Sequence, residues 1–230
     1  GYASTLLHSL DGGATWQAEI APSTNLWSVW GSSAKNVFVG GENANIYRSR
    51  DEGDTWRALS TPALTRIASI WGVSATQLFA VAEVGLLSSS SSGDKLAWTG
   101  TSISQQLGVW ASAPDDIYTV NGLGVVTHWT GTETLYKTEL TPVRTLYGVW
   151  GTSANDVYAV GAQGRIVHTS DRGQSYAPQP SGTTEELHAI HGASGVVFTV
   201  GGAGAILVRS GAARVDGGAG DASAADATTD

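Results

Sequence analysis

The chain of 230 residues contains no cysteine and no methionine. Without cysteine it can form no disulfide bond, no thiolate nucleophile and no cysteine-ligated metal site. No apolar run of about 18 residues is present, so the sequence predicts no membrane-spanning helix. Without methionine, the first residue is not expected to be the natural start of the protein.

Basic residues are also scarce. Twelve Lys and Arg stand against 20 Asp and Glu, which gives a net charge of −8. Nucleic acids and anionic membranes are bound by basic stripes or patches, so this balance argues against both as partners.

What the chain has in abundance is glycine and tryptophan, with 30 and nine residues respectively. Val, Ile, Thr and Tyr are frequent as well, and no long stretch shows helical periodicity. This composition is typical of many short strands joined by tight turns, so the sequence predicts an all-β protein.

An eight-residue motif occurs three times, at 9–16, 49–56 and 169–176. Its common form is Ser or Thr, any residue, Asp, any, Gly, any, Ser or Thr, aromatic. Asp followed two residues later by Gly is typical of a turn, because the carboxylate accepts backbone N–H groups and Gly adopts positive φ. We expect the hydroxyls to bond across the same turn and the aromatic ring to plug it. The residues given this structural role are Asp11, Gly13, Trp16, Asp51, Gly53, Trp56, Asp171, Gly173 and Tyr176. Two weaker copies lie at 91–98 and 129–136.

A second series runs in phase with the first. Its members are Trp30, Trp71, Trp110, Trp150 and His191, at spacings of 41, 39, 40 and 41 residues. Each repeat reads as four short strands, which we name A to D from the axis outward, and this matches one blade of a β-propeller. We therefore predict four-stranded antiparallel blades over residues 1–210, about five in number, with a part of a six- or seven-bladed ring as the alternative.

The ends of the repeat region decide how a ring would close. The chain enters at a C strand near residues 5–9 and leaves at a C strand near 205–209. Pairing of the strand at Trp16 with the strand at 205–209 would close a five-bladed ring and hide its edges. Residues 211–230 are Gly, Ala, Asp, Ser and Thr with little apolar content, and we predict a disordered tail there.

The eight-residue motif resembles the Asp-box, or BNR repeat, of sialidase-like β-propellers. In that family the Asp-box lies on the rim of the propeller, away from the ligand site. The resemblance raises glycoside hydrolysis as an activity, which would need paired carboxylates, three arginines and an Arg-Ile-Pro motif. Here Arg66-Ile67 and Arg165-Ile166 are followed by Ala68 and Val167, and no carboxylate pair can be assembled. A degenerate or partial sialidase-like hydrolase therefore remains the alternative, and a protein resembling photosystem assembly factors, which share such repeats, is a second one.

Candidate binding residues are those that differ between repeats on one face. Three residues before each anchor the chain has Trp27, Ala68, Leu107, Tyr147 and His188, whereas the neighbouring positions are uniform. The D-to-A and B-to-C loops should lie on this same entrance face. The predicted ligand-binding set is Trp27, Arg66, Arg144, Tyr147, His188, Glu42, Asn121 and Gln163. Aromatic, amide and charged groups together suit a sugar or a peptide, while a solvated rim without ligand is the competing interpretation.

Three histidines occupy equivalent repeat positions, at His8, His128 and His168. They should lie on different blades, so we expect no shared metal site, and we predict no cofactor. The hypothesis from sequence is a monomeric, non-catalytic module, extracellular or in a bacterial cell envelope, that binds a protein or a glycan.

Overall fold

The computed structural model describes residues 5–19, 25–59, 61–63, 65–82, 85–89, 95–101, 105–130, 133–193 and 195–210. The predicted disordered tail at 211–230 lies outside these residues. The described part contains 21 β-strands and two 3-10 turns and no α-helix. Within it, no helix has the length and apolar character needed to cross a membrane. The prediction of an all-β propeller is confirmed.

Five antiparallel sheets form the blades, and each follows the chain from the inner strand outward. Blade 1 consists of β3 (Leu26–Ser33), β4 (Asn36–Gly41), β5 (Ile46–Ser49) and β6 (Arg57–Ala58). Blade 2 consists of β7 (Ser69–Gly72), β8 (Leu78–Ala82), β9 (Gly85–Ser89) and β10 (Leu96–Thr101). Blade 3 consists of β11 (Gln106–Ala113), β12 (Asp116–Asn121), β13 (Val125–Thr130) and β14 (Glu133–Glu139).

Blade 4 consists of β15 (Leu146–Ser153), β16 (Asp156–Gly161), β17 (Ile166–Thr169) and β18 (Ala177–Gln179). Blade 5 has three described strands, β19 (Leu187–Ala193), β20 (Val196–Gly201) and β21 (Ile206–Ser210). A separate two-stranded sheet is formed by β1 (Leu7–His8) and β2 (Gln17–Ala18).

The expected closure between the first and last strands is wrong. In the described part of the chain β2 pairs with β1, and β21 pairs only with β20. The reason is register: Leu7 pairs with Ala18 as Val167 pairs with Pro178 in blade 4, so β1 and β2 form a C–D pair of their own. Strand β2 is a D strand that pairs with its own C strand, β1, and it therefore does not complete blade 5.

Blades pack on one another through the anchor aromatics. In blades 2, 4 and 5 the glycine that follows the anchor lies against the anchor ring of the preceding blade. A β-carbon built on Gly72 would lie 2.3 Å from the Trp30 ring, and one built on Gly192 would lie 2.4 Å from the Trp150 ring. These glycines are required because a close-packed interior has no room for a methyl group beside the indole. The Trp-Gly repeat therefore encodes the contact between blades.

The turns of the eight-residue motif form the predicted hydrogen bonds. In blade 1 the Ser49 hydroxyl donates to the Asp51 carboxylate (2.8 Å) and accepts the Gly53 N–H (2.9 Å), while Asp51 accepts the Thr55 N–H (3.0 Å). Gly53 has φ of 106°, which explains the glycine. Glu52 also has positive φ, at 65°, a conformation unusual for a residue with a side chain.

The other two turns have the corresponding hydrogen bonds. The largest effect comes from the Thr15 side chain on Asp11 and from the Ser175 side chain on Asp171, and the pKa of each carboxyl group is lowered to about 2. The aromatic rings do not all act as plugs. Trp56 and Tyr176 are half-buried, but Trp16 is 60% exposed. The burial expected of Trp16 is absent because its blade is represented in the described residues only by the C–D pair.

Candidate functional site

A cavity of about 560 Å³ lies where the inner strands of all five blades converge. Its lining comes from the A strands and the residues just before them. The predicted site residues in this lining are Trp27, Arg66, Tyr147 and His188. The branched residues next to the anchors also line this cavity, as do two of the anchors themselves, Trp71 and His191. Position along the repeat, rather than proximity in sequence, brings these residues together.

One side of the cavity carries a cation over an aromatic ring. The Arg66 guanidinium lies 5.0 Å from the centre of the Trp27 ring. At this distance the ring quadrupole attracts the charge and orients the arginine. Trp27 remains 40% exposed, so one part of the indole is available to a ligand.

The other side carries a second aromatic pair. The Tyr147 and His188 rings are 5.0 Å apart, and the Tyr147 hydroxyl donates to Glu186 over 3.3 Å. Burial, followed by the negative charge of Glu186, raises the pKa of Tyr147. His188 also lies 3.7 Å from the Glu186 carboxylate. Tyr147 is therefore a neutral phenol at physiological pH, with its ring facing the cavity.

Four predicted site residues lie elsewhere. Glu42, Arg144, Asn121 and Gln163 are not among the residues that line the cavity. The prediction for Asn121 is wrong, because its side chain is 1% exposed and accepts the N–H groups of Leu123 and Val125. It closes the B-to-C turn of blade 3. Gln163 is exposed in the equivalent turn of blade 4, where it has φ of 57°.

The cavity has the chemistry of a binding site. Its described lining holds one permanent charge, that of Arg66, together with aromatic and branched apolar side chains and no carboxylate. Nor do the described residues place three or more His, Asp or Glu side chains in a group that could hold a metal ion. An apolar floor with a cation and two aromatic faces suits a ligand that offers both apolar surface and a polar or acidic group.

Sequence reasoning missed a polar network that recurs in blades 3 and 4, buried in blade 3 and partly exposed in blade 4. His128 lies 2.7 Å from Asp116 and stacks on Tyr118 with ring centres 4.2 Å apart. His168 makes the equivalent contacts with Asp156 (2.6 Å) and Tyr158 (4.2 Å) in blade 4. The signal was present as Asp-x-Tyr at the start of a B strand and His ten residues after the Tyr.

This network is structural, because each histidine and its carboxylate lie within a single blade, on strands B and C. In blade 1 the same positions hold Asn36 and Arg48, which are joined by a hydrogen bond of 2.8 Å. Hydrogen bonds from His128 and Ser112 outweigh the effect of burial and lower the pKa of Asp116. The repeated pair satisfies a polar group that the packing of blades removes from water.

Comparison with known proteins identifies the fold. No protein-family model matches the chain, and no curated protein matches it in sequence. Among solved structures, YCF48 bound to a D1 peptide is similar at a TM-score of 0.70 and 16% identity, over 90% of this chain and 71% of that one. The WD40 propeller domain of Doa1 is similar at a TM-score of 0.73 and 10% identity, over 91% and 73% of the two chains. YCF48 from Cyanidioschyzon merolae is similar at a TM-score of 0.68 and 15% identity, over 90% and 77%. The chain thus has the β-propeller fold.

Proposed function

We propose that this protein is a non-catalytic binding module that holds a segment of another protein in the central cavity. The observation that carries the proposal is the cavity itself, which gathers Trp27, Arg66, Tyr147 and His188 from four blades. Trp27, Tyr147 and His188 occupy the inner-strand position at which the repeats differ, while the packing positions beside it are uniform, and Arg66 lies in the loop before β7. Divergence at such positions is what a specific ligand requires of a repeat protein.

A peptide is the ligand class that fits the cavity best. Extended peptides offer apolar side chains for the floor and carbonyl or carboxylate groups for Arg66, and the cavity volume is within the range typical of ligand sites. The similar fold of YCF48, seen with a bound D1 peptide, supports a peptide over a nucleotide or a metal. The same similarity makes a role resembling that assembly protein the second candidate, although the net charge of −8 does not favour an anionic membrane surface.

A glycan is the alternative ligand. Trp27 and Tyr147 each present a ring toward the cavity, and stacked rings are a common way to hold a sugar face. We further propose a location outside the cytoplasm, on the strength of the Asp-box resemblance. Sialidase-like hydrolysis is the alternative activity to test, although the described lining of the cavity contains no carboxylate.

The test is a parallel screen on peptide and glycan arrays, followed by a sialoside-hydrolysis assay. We expect binding without turnover, and a loss of affinity of tenfold or more in Trp27→Ala and Tyr147→Ala. Trp16→Ala is the matched control, because Trp16 is also an exposed tryptophan but does not line the cavity. Turnover, or equal losses in Trp27→Ala and Trp16→Ala, would contradict the proposal.

A further inference from the structure

Among the residues that the structure describes, one face of blade 5 carries exposed apolar side chains. In blade 3, Tyr118 and Val120 are 0% exposed because blade 4 packs over them. The equivalent residues of blade 5, Phe198 and Val200, are 45% and 43% exposed. Ile206 and Val208, next to them on β21, are 68% and 57% exposed. Four large apolar side chains in one patch mark a surface made for contact.

Blade 1 leaves the opposite face uncovered near the axis. Val29 is 63% exposed, whereas its equivalents Ile70 and Val149 are 5% and 6% exposed. The surroundings of Gly31 also differ from those of the equivalent glycine in blade 2, Gly72. The three atoms nearest to a β-carbon built on Gly31 belong to its own hairpin, at Ser33, Asn36 and Val37, and none is a ring atom, whereas those nearest to one built on Gly72 are atoms of the Trp30 ring. We call the position over Gly31, which corresponds to the one that the Trp30 ring fills over Gly72, the Gly31 seat.

Strands β1 and β2 have the register of the outer half of a blade. Their register repeats that of β17 and β18 at a distance of 160 residues, since His8 pairs with Gln17 as His168 pairs with Ala177. The chain just after β2 also lies where a preceding blade should. The Glu19 carboxylate lies 3.3 Å from the position of a β-carbon on Gly53, in the Asp-box of blade 1. In the same way Thr138, on the D strand of blade 3, donates to the Gly173 carbonyl (3.0 Å) in the Asp-box of blade 4.

We propose that β1, β2 and the open inner face of blade 1 form a docking site for an A–B β-hairpin of this same repeat. Strands β1 and β2 are the outer half of a further blade, and the hairpin is its inner half. The occupant is defined by the site: an aromatic anchor for the Gly31 seat, a branched residue over Val29, and a B strand that pairs with the edge of β1. We call this docking site the seam.

The hairpin of blade 4 provides the probe. Residues 144–164 directly precede the C strand at Arg165, so a copy of them placed directly before Thr5, in place of residues 1–4, enters in repeat register. We expect this graft to raise the melting temperature and to slow amide exchange in β1 at least tenfold. Trp150→Ala in the grafted copy is the matched control, and it should remove most of both effects.

The variant Gly31→Val distinguishes specific packing of the grafted anchor ring over Gly31 from a nonspecific effect of the added residues. In the grafted protein the valine fills the seat of the anchor ring, so the melting temperature should fall back toward that of the unmodified chain. In the unmodified chain the same substitution should lower it by less than in the grafted protein, since the new side chain then crowds only its own hairpin, where the Asn36 carbonyl lies 3.3 Å from the new β-carbon. If the graft prevents folding, the 144–164 peptide is added in trans and its binding to the unmodified chain is measured with the same variants.

Two results would overturn the proposal. One is a graft, or an added peptide, whose effect is insensitive both to Trp150→Ala and to Gly31→Val. The other is an unmodified chain that forms a dimer in light scattering, with β1 amides that become protected as concentration rises. That second result would assign the seam to another copy of the protein.

Discussion

Replacing Trp150 by alanine should remove a large part of the stability of this fold. Trp150 is 7% exposed, and its ring fills the space above Gly192 in blade 5. A buried tryptophan withdraws about 150–250 Å² from water, which at about 25 cal/mol per Å² corresponds to roughly 4–6 kcal/mol. Partial burial in the unfolded chain reduces this by roughly 10–40%, so we expect a loss of about 3–5 kcal/mol in the free energy of unfolding.

The assay is urea or thermal unfolding followed by circular dichroism. For a chain of this size each kcal/mol shifts the melting temperature by about 2–4 °C, so Trp150→Ala should lower it by roughly 6–20 °C. The matched control is Trp16→Ala, the same substitution in a residue that is 60% exposed, for which we expect about 2 kcal/mol at most. Equal losses in the two variants would refute the idea that the anchor series, rather than tryptophan in general, holds blade to blade.

Three further predictions concern other parts of the scaffold. Gly161→Ala should lower the free energy of unfolding in urea by about 1–3 kcal/mol or more, because the new β-carbon would lie 2.0 Å from the Thr145 carbonyl oxygen. Gly122→Ala is the control and should be nearly neutral, because a β-carbon there meets nothing within 4 Å. Thr119→Val should cost about 1–3 kcal/mol in the same assay, because it leaves the buried Trp129 indole N–H without its 2.9 Å acceptor; an unchanged midpoint would contradict this. The pKa of Asp171 is about 2 in the fold against an ordinary value of 3.8, so the contribution of its ionised carboxylate to folding stability is present above about pH 4 and is lost as pH falls toward 2. Asp171→Asn should flatten that part of the curve of stability against pH, and an unaltered curve would count against the turn assignment.

The repeat made much of the fold predictable from the sequence. The spacing of the five anchors located every A strand, and the Asp-x-Gly turns located three of the C–D hairpins. Both signals depend on local backbone conformation or on a contact that recurs every 40 residues or so. The site could be predicted in part for the same reason. Trp27, Tyr147 and His188 stood out because their position varied among repeats that were otherwise uniform, and the cavity does gather them.

Other features depended on which surfaces meet in three dimensions. Asn121 looked like a rim residue in the sequence, yet its amide is turned inward to hold its own turn, and only the burial of the loop decides that. The pairing of His128 with Asp116 is a contact across two strands, which periodicity does not reveal.

The sequence by itself determined the strands, their order and the contact between successive blades, since each of these is written in residues close together or one repeat apart. Only the tertiary structure decided how the first and last strands of the blade series are paired and exposed. The pairing of β2 with β1 rather than β21, and the exposure of Val29 and Phe198, follow from the position of the first and last strands in space. A repeated motif specifies each step around the axis, but whether the ends meet depends on the accumulated rotation of all the blades, which no single repeat encodes.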